Sequence, residues 1–295
     1  MEQYFKITNA EENHNGFKYV DGFNVIEEEF NDDSNQSCGT GGLYFTNAQN
    51  IFKFLDYGIY LRDVFIPRND PDFKMVKVTS GDKYRANMIV LGKRYDLDSV
   101  ETFEYLITCG ADIRANKYAI LRFSAIRGNL DVVKYIVEEY SADIHVDNDA
   151  VLFYSASNGH LDVVKYLVKS GADVHVNNNS ALWASVRYGH FGVVKYLVEE
   201  GGADIHADND YIFLESVTSG HYNIVKYLIE KGADANVCNN YTLEQQIALK
   251  NAHIVELLVK ELIKNDAEIS LKIKQWYHKR RSTRKIEKKE NRYSI

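Results

Sequence analysis

The apolar residues between positions 128 and 250 follow a pattern that recurs every thirty or thirty-one residues. Each copy opens on a glycine, usually as Gly-His, and continues with paired β-branched residues and Lys-Tyr, and an Ala-Asp pair follows the tyrosine. The clear copies begin at Gly128, Gly159, Gly189 and Gly220, and an altered copy begins at Lys250. A unit of this size cannot bury its own apolar face, so the copies are expected to stack as a solenoid.

Each copy predicts two helices. In the copy at residues 177–204, Ser180 is expected to cap the first helix, and Gly189 ends it because glycine tolerates a positive φ. Apolar residues spaced three and four apart predict one buried face on each helix. The expected core positions of this copy are Leu182, Val186, Val193 and Val194.

Residues 1–95 show a different pattern. Partial alternation of apolar and polar side chains predicts strands at 59–66, 76–79 and 88–91, with a short helix at 50–55. The whole chain is therefore predicted to be mostly α. We expect a small α+β domain at residues 1–95, a repeat array at 96–264 with a half-repeat and about five repeats, and a capping helix with a basic tail at 265–295.

Composition places the chain among ordinary globular proteins, with 45% hydrophobic and 26% charged residues. We expect an intracellular protein, because the start lacks a signal-peptide pattern, no apolar run reaches membrane-span length, and the 3 cysteines are scattered. The net charge is −7, although the basic tail at 272–292 opposes it. An acidic body disfavours nucleic acid as a partner except through that tail, and no membrane partner is expected.

The recurring polar side chains suggest a metal site, but their spacing excludes it. His145, His175 and His206 occupy one repeat position, and stacked helices lie about 8–10 Å apart, whereas zinc needs several ligands at about 2.0–2.1 Å. We therefore predict no metal and no cofactor, with these histidines hydrogen-bonded inside the loops between repeats. His160, His190 and His221 are expected to bond backbone groups of their own turns. The tyrosines that close the Lys-Tyr pairs are expected to pack.

The glycine-rich segment at residues 38–42 is not a phosphate loop, because no Gly-Lys-Ser/Thr follows it. It is expected to form a turn before a strand at residues 43–46. Cys38 and His14 do not form a convincing nucleophilic pair, since nothing in the sequence indicates a third group that orients the base.

Over about residues 97–264 the chain resembles the ankyrin-repeat family. The resemblance rests on Gly-His, on Val-Val in the second helix, and on the later Gly-Ala-Asp-hydrophobic-His/Asn segment. The family's Thr-Pro-Leu-His stretch is absent, and the unit is two or three residues shorter than the usual one of about 33, so the loops between repeats should be short. The segments at 14–19, 41–45 and 54–58 further resemble the paralogous ankyrin-repeat proteins of amoeba-infecting giant DNA viruses of the mimivirus type. The resemblance implies an ankyrin solenoid and a non-catalytic viral scaffold or adaptor that binds a protein partner as a monomer.

Ankyrin families vary the two residues before the helix-ending glycine and the loop between repeats, which lie on the concave surface. The candidate protein-binding residues are Ile126, Arg127, Ser157, Asn158, Trp183, Arg187, Tyr188, Thr218 and Ser219. The corresponding loop residues are Lys117, Tyr118, Asn148, Asp149, Asn178, Asn179, Asn209 and Asp210. Trp183, Arg187 and Tyr188 come first, because these residue types dominate interface hot spots.

Two alternatives stay open. Residues 38–66 weakly resemble part of the ADP-ribosyltransferase fold, which would make the repeats a targeting arm, although His14 and the acids at 27–29 do not match that family's positions. A deep cleft lined by His14, residues 27–29 and Tyr44 would favour this enzyme. A ubiquitin-ligase substrate adaptor is the other alternative, although no leucine- and proline-rich segment follows Ile269.

The C-terminal segment combines an apolar face with a run of basic residues. Leu271, Ile273, Trp276 and Tyr277 are expected to form the apolar face of a helix that caps the solenoid. The basic run that follows is a solubilising tail, a nuclear-import signal at residues 279–285, or a nucleic-acid contact. We expect the host cytoplasm as the location, with the nucleus as the alternative if residues 279–285 are a signal.

Overall fold

The computed structural model describes residues 3–36, 39–79, 81–114, 116–265 and 269–290, with the side chains of Tyr241 and of residues 283–290 left out of the description. The chain divides into two compact units, at residues 1–146 and 147–295. Cys38 lies outside the described residues, so the structure does not address its suggested pairing with His14.

The first unit contains a seven-stranded antiparallel sheet in the order β4-β9-β6-β1-β5-β8-β7, and β2 and β3 form a separate hairpin. The strands are β1 (Tyr4–Thr8), β2 (Asn13–His14), β3 (Phe17–Lys18), β4 (Gly22–Val25), β5 (Leu43–Asn47), β6 (Tyr60–Phe65), β7 (Met75–Lys77), β8 (Tyr84–Ala86) and β9 (Met88–Asp96). The three strands expected from the sequence correspond to β6, β7 and β9. The expected short helix is a 3-10 helix, Ala48–Tyr57.

Apolar side chains cover both faces of this sheet. On one face, Tyr4 contacts Phe45 and Tyr84 edge to face, with ring centroids 5.3 and 5.1 Å apart. On the other face, Phe52 of the 3-10 helix stacks on Phe103 with centroids 6.1 Å apart. The helices of this unit are α1 (Val100–Thr108), α2 (Lys117–Arg127) and α3 (Leu130–Tyr140). Strands therefore give way to helices between residues 96 and 100.

The described residues of the second unit form helices and connecting loops and contain no strand. Its helices are α4 (Val146–Ser157), α5 (Leu161–Lys169), α6 (Val176–Arg187), α7 (Phe191–Glu199), α8 (Ala207–Ser219), α9 (Tyr222–Glu230), α10 (Asn240–Ala248), α11 (Ala252–Lys264) and α12 (Leu271–Glu290). A 3-10 turn, Ala235–Val237, precedes α10. The predicted core positions Leu182, Val186, Val193 and Val194 are all buried. The helical pairing and the buried face predicted from the periodicity are thus confirmed.

The loops between repeats are single left-handed turns. Residues 147–149, 177–179 and 208–210 all have φ between 51 and 59°, a conformation that asparagine and aspartate tolerate better than other side chains. The prediction that Ser180 caps the first helix did not account for this turn. The three left-handed residues before Ser180 determine how the chain enters the helix. The loops are short, as the shortened repeat predicted.

The third residue of the first two left-handed turns links one repeat to the next. Asp149 Oδ1 accepts a hydrogen bond from the backbone N–H of Asp173 at 3.3 Å, and Asn179 Oδ1 accepts one from Asp204 at 3.0 Å. Both side chains are buried. The expectation that Asp149 and Asn179 belong to the partner-binding surface is therefore wrong, whereas Asn148 and Asn178 are exposed.

The Gly-His pairs also act between repeats. His190 Nε2 lies 2.9 Å from the Ser157 carbonyl oxygen, and His221 Nε2 lies 3.0 Å from that of Arg187. Each histidine therefore bonds the preceding repeat, and the expectation of a bond within its own turn is wrong. The ring also occupies the space above the helix-ending glycine of the preceding repeat, since a Cβ on Gly189 would lie 2.5 Å from the His221 ring.

The last helix packs as a cap, with one correction. Ile273 and Tyr277 are buried, but Leu271 is 70% exposed, so its predicted place on the apolar face is wrong. Arg280 Nε donates to Glu256 Oε1 at 2.7 Å, and Lys272 Nζ lies 3.0 Å from Glu244 Oε2. Part of the basic run is thus fixed to the helices it covers. None of the helices in the described residues combines the length and hydropathy needed to cross a bilayer.

Candidate functional site

The ends of the first helices form a row in the second unit. Ser157, Arg187 and Thr218 are equivalent residues of successive repeats, each two positions before the helix-ending glycine. The histidine bonds to the carbonyl groups of Ser157 and Arg187 hold the neighbouring helix ends against the next turn. Asn158, Arg187, Tyr188 and Thr218 are exposed, and Ser157 and Ser219 are half-buried. The structure therefore brings the candidates of this unit together on one accessible strip.

Arg187 is held in place at the centre of the strip. Its guanidinium carbon lies 5.2 Å from the ring centroid of Trp183, and Nη1 donates to Glu215 Oε1 at 3.2 Å. The Glu215 carboxylate is buried and also accepts a hydrogen bond from the Ser219 hydroxyl at 3.0 Å. A stacked and hydrogen-bonded arginine loses little conformational freedom when a partner covers it. The strip thus has a preorganised cationic centre.

The aromatic residues beside Arg187 differ in their exposure. Tyr188 is 56% exposed, whereas Trp183 is half-buried and its Nε1 is enclosed without a hydrogen-bond partner among the described residues. Exposed tyrosine next to a fixed arginine is a composition typical of interface hot spots. Tyr188 is consequently the most accessible aromatic contact of the strip.

The remaining candidates, Ile126 and Arg127, belong to the first unit. Arg127 Nε donates to Asp98 Oδ1 at 2.6 Å, and its second nitrogen also reaches that carboxylate. This hydrogen bond raises the pKa of Arg127, and the guanidinium lies over the Phe123 ring. Arg127 is thus engaged by its own unit, and Ile126 is half-buried.

The histidines of the loops do not assemble a metal site. Within the described residues, no group of three or more His, Cys, Asp or Glu side chains could hold a metal ion. His206 Nδ1 lies 2.7 Å from Asp210 Oδ1, while His175 uses its backbone N–H to bond Asp173 Oδ1 at 2.9 Å. The same aspartate-to-backbone turn recurs at Asp143 and Asp204, so this repeated position serves loop geometry.

The first unit contains a cleft, of which the sequence analysis named only His14 and Tyr44, as part of the enzyme alternative. The space in and above it, open solvent included, is about 490 Å³, and its lining residues are Phe5, Lys6, Ile7, His14, Asn15, Tyr44, Phe45, Thr46, Ile51, Phe54, Tyr57 and Lys83. Strands β1 and β5 are registered at Tyr4–Asn47 and Phe5–Thr46, whereas β1 pairs with β6 along all five of its residues. The cleft therefore lies where β1 and β5 part.

Lys6 is the unusual residue of this cleft, since it is only 4% exposed. Its Nζ donates to the Tyr44 carbonyl oxygen at 2.9 Å, lies 3.3 Å from His14 Nδ1, and sits 4.4 Å from the ring centroid of Tyr19. Burial lowers the pKa of Lys6 to about 7, against a smaller opposing effect of Glu12. The signal in the sequence was a lysine inside the apolar strand Tyr-Phe-Lys-Ile-Thr.

Burial in the same environment also shifts the pKa values of two neighbours of Lys6, His14 and Tyr19. Burial, followed by the charges of Lys6 and Lys83, lowers the pKa of His14 to about 4, so its imidazole is neutral at physiological pH. Burial also raises the pKa of the Tyr19 hydroxyl. Neutral His14 can therefore accept a hydrogen bond from the Lys6 amine.

The carboxylates that the enzyme alternative requires are placed elsewhere. His14 and Tyr44 line the cleft, but Glu27 and Glu28 line a separate depression beside Phe17 and Phe23. A general acid or base must come within hydrogen-bond reach of the reacting group. The cleft that would favour the ADP-ribosyltransferase alternative is thus only partly assembled.

The ankyrin repeat model matches the chain in three copies, at residues 93–178, 123–209 and 182–273. Two ankyrin repeat proteins of Acanthamoeba polyphaga mimivirus are 47% and 44% identical to the chain over 135 and 134 residues. These alignments span 46% and 45% of the chain and 66% and 40% of the two viral proteins. A further mimivirus protein, described as uncharacterized, is 44% identical over 133 residues, which are 45% of the chain and 96% of that protein.

Proposed function

Because the chain belongs to the ankyrin repeat family, we propose that it is a non-catalytic scaffold or adaptor that binds a protein partner through the strip of first-helix ends. Ankyrin repeats are protein-interaction modules, and the names of the relatives agree with that role. The mimivirus relatives support a viral protein that engages a partner in the host cytoplasm. The basic run at residues 279–285 remains a proposed route to the nucleus.

The observation that carries this proposal is the Trp183–Arg187–Glu215 cluster beside exposed Tyr188. Interface energy concentrates in a few aromatic and arginine side chains that are held in position before binding. Arg187 is held by the Trp183 ring and by Glu215, and Tyr188 adds an accessible aromatic surface. A partner that buries this strip would gain from both groups at a small entropic cost.

The same geometry decides which variant can test binding. Arg187 and Tyr188 differ in whether they can be removed without affecting the fold. Arg187 pairs with the buried carboxylate of Glu215, so Arg187→Ala would leave that carboxylate uncompensated. Tyr188→Ala is the cleaner probe, and Arg187→Ala should be combined with Glu215→Ala, because the equivalent residue of the preceding repeat is Ala184.

The test uses affinity capture from an amoebal lysate, identification of the partner by mass spectrometry, and titration of the purified partner. Tyr188→Ala should weaken binding about tenfold, the loss of a contact worth about 1.4 kcal/mol. Tyr222→Ala is the matched control, because Tyr222 is a 41% exposed tyrosine at the start of a second helix. Both variants should melt like the native chain.

The proposal fails if the partner binds Tyr188→Ala as tightly as the native chain. Equal weakening by Tyr188→Ala and Tyr222→Ala would also contradict it, since the strip would then have no privileged role. If the Arg187→Ala/Glu215→Ala double variant binds the partner with native affinity, Arg187 does not contribute to the interface.

A further inference from the structure

We propose that the cleft of the first unit binds a small organic carboxylate, with Lys6 as its counter-ion and the apolar walls holding the remainder of the molecule. This site is separate from the protein-binding strip and does not depend on it. Lys6, His14 and the apolar lining residues all belong to the first unit.

Lys6 lies in an environment where the charge of Glu12 offsets only part of the cost of burying the ammonium. The described residues place no carboxylate within ion-pair distance of its Nζ, and the nearby Glu12 directs Oε1 to Arg62 Nη1 at 2.9 Å. A buried ammonium without a paired anion is costly to keep charged. A bound carboxylate would supply that anion in a place where water does not screen the interaction.

The amine also has bonding capacity left. An ammonium group has three donors, and the contacts of Lys6 Nζ with the Tyr44 carbonyl and His14 Nδ1 account for two. His14 is neutral at physiological pH, so it accepts from Lys6 and does not compete with it for an anion. Apart from the Tyr19 ring 4.4 Å from Nζ, the described residues show no contact for the third donor, so a carboxylate oxygen can take that place.

The chemistry of the walls supports one anionic group on an apolar body. None of the twelve lining residues is acidic, and Lys83 adds a second basic side chain. Phe5, Ile7, Ile51 and Phe54 provide an apolar surface, and Tyr57 provides an aromatic edge. Mostly apolar pockets with a few convergent polar groups are typical of small-molecule sites. The ligand class is thus an aromatic or short aliphatic monocarboxylate.

The test compares 4-fluorobenzoate with 4-fluorobenzamide by ¹⁹F NMR titration of the full chain. The two probes have nearly the same shape and differ in charge. The carboxylate should bind at least about tenfold more tightly, which corresponds to about 1.4 kcal/mol. Hexanoate should displace it at lower concentrations than acetate, because hexanoate also fills the apolar part of the cleft.

Three variants locate the site. Lys6→Met should abolish the preference for the carboxylate, whereas Lys53→Met, at an exposed lysine of the neighbouring 3-10 helix, should retain it. Tyr57→Ala removes a half-exposed wall residue and keeps Lys6, so it should weaken both probes by a similar factor. Circular dichroism establishes that each variant is folded before it is titrated.

Equal affinity for the two probes would overturn the proposal, as would a carboxylate preference that survives Lys6→Met. Absence of binding by either probe to the folded native chain at millimolar concentration would also overturn it, and would leave Lys6 as a structural bridge to Tyr44. If Lys6→Met does not fold, unchanged binding of both probes to Tyr57→Ala would place the ligand outside the cleft.

Discussion

The two units differ in how far along the chain the partners of their buried polar groups lie, and in the second unit the partners named above belong to the same repeat or to the next one. In the second unit, Ser155, Ser185 and Ser216 are fully buried, and each hydroxyl donates to the carbonyl three residues earlier in its own helix, at 2.7 to 3.0 Å. In the first unit, the buried cations Arg62 and Arg85 depend on residues far away in the chain. Arg85, for example, donates to the Tyr44 hydroxyl at 3.1 Å and to the Asp33 carbonyl at 2.7 Å.

This difference suits the second unit to binding on its surface and the first unit to binding in its cleft. Repetition of local contacts gives the second unit a regular support on which exposed residues can vary without loss of the fold. Charges that are buried by distant segments cost stability unless they are fully compensated. Neither Lys6 nor Arg85 has a carboxylate partner among the described residues, but Arg85 donates to several oxygens of other segments, whereas Lys6 lines a cleft. The contrast therefore points to binding by the strip in one unit and by the cleft in the other.

The largest expected effect comes from placing a charge in the repeat core. Val194 is fully buried, so Val194→Asp should lower the unfolding free energy by about 3 kcal/mol or more. Both tryptophans, Trp183 and Trp276, belong to the second unit, so their fluorescence during urea unfolding reports this loss. A loss below about 1 kcal/mol would contradict the assigned buried face.

The matched control for that variant is Gly192→Asp on the same helix. Asp131 and Asp162 occupy the equivalent position in two other repeats, and an acidic residue in the first turn favours a helix. A Cβ at Gly192 would meet Leu161 at an ordinary contact distance of 3.7 Å. Gly192→Asp should therefore leave stability unchanged or raise it slightly.

A smaller effect tests the Gly-His contact between repeats. Gly189 and Gly202 have similar φ values of 81 and 76°, but a Cβ at Gly189 meets the His221 ring at 2.5 Å, whereas one at Gly202 meets nothing within 4 Å. Gly202→Ala should cost about 1 kcal/mol for the left-handed backbone alone. Gly189→Ala should cost about 2 kcal/mol or more, since the contact adds to that strain.

Removal of the histidine ring separates the two contributions. In a His221→Ala background, Gly189→Ala should cost no more than Gly202→Ala does, because only the backbone strain remains. If Gly189→Ala and Gly202→Ala lower the unfolding free energy equally in the native background, the left-handed backbone alone accounts for glycine at position 189, and the contact with His221 does not contribute.

The difference between repeated, nearby contacts and contacts between distant segments also explains which features could be predicted from the sequence. The repeats recur, so the paired helices, the buried valines and the stacked solenoid could be predicted from spacing, and the ankyrin fold from the resemblance of the repeated motif. The histidine bonds were assigned to the wrong partners, because His190 reaches Ser157, thirty-three residues earlier. Left-handed loops such as residues 177–179 are hard to recognise in a sequence, since asparagine is also common in ordinary turns.

The cleft could not be predicted from the sequence, because it depends on non-local geometry. Lys6, His14 and Tyr44 come together through the pairing of β1 with its neighbours and the fold of the β2–β3 hairpin. The protein-binding candidates Ser157, Arg187 and Tyr188 were selected by repeat position, and they remain proposals. Glu215 was not selected, because nothing in the repeat pattern indicated a buried partner for Arg187.

The central claim is that the first unit keeps Lys6 buried at a cost to its stability, and the pH dependence of unfolding tests it most directly. The pKa of Lys6 in the folded chain is about 7, below the ordinary value of 10.5. Between these values the unfolded chain binds more protons, so stability should rise with pH. In the folded chain, His14, with a pKa of about 4, and Tyr19, whose pKa is raised, do not titrate in this window, and comparison with Lys6→Met cancels their titration in the unfolded chain.

The measurement is the urea dependence of peroxide oxidation at Met88, which is buried in the sheet of the first unit, followed by mass spectrometry between pH 7 and 9.5. The native chain should gain stability as pH rises, by at most about 1.4 kcal/mol per pH unit, and Lys6→Met should lose that gain. Parallel pH dependence in the native chain and in Lys6→Met would contradict the claim.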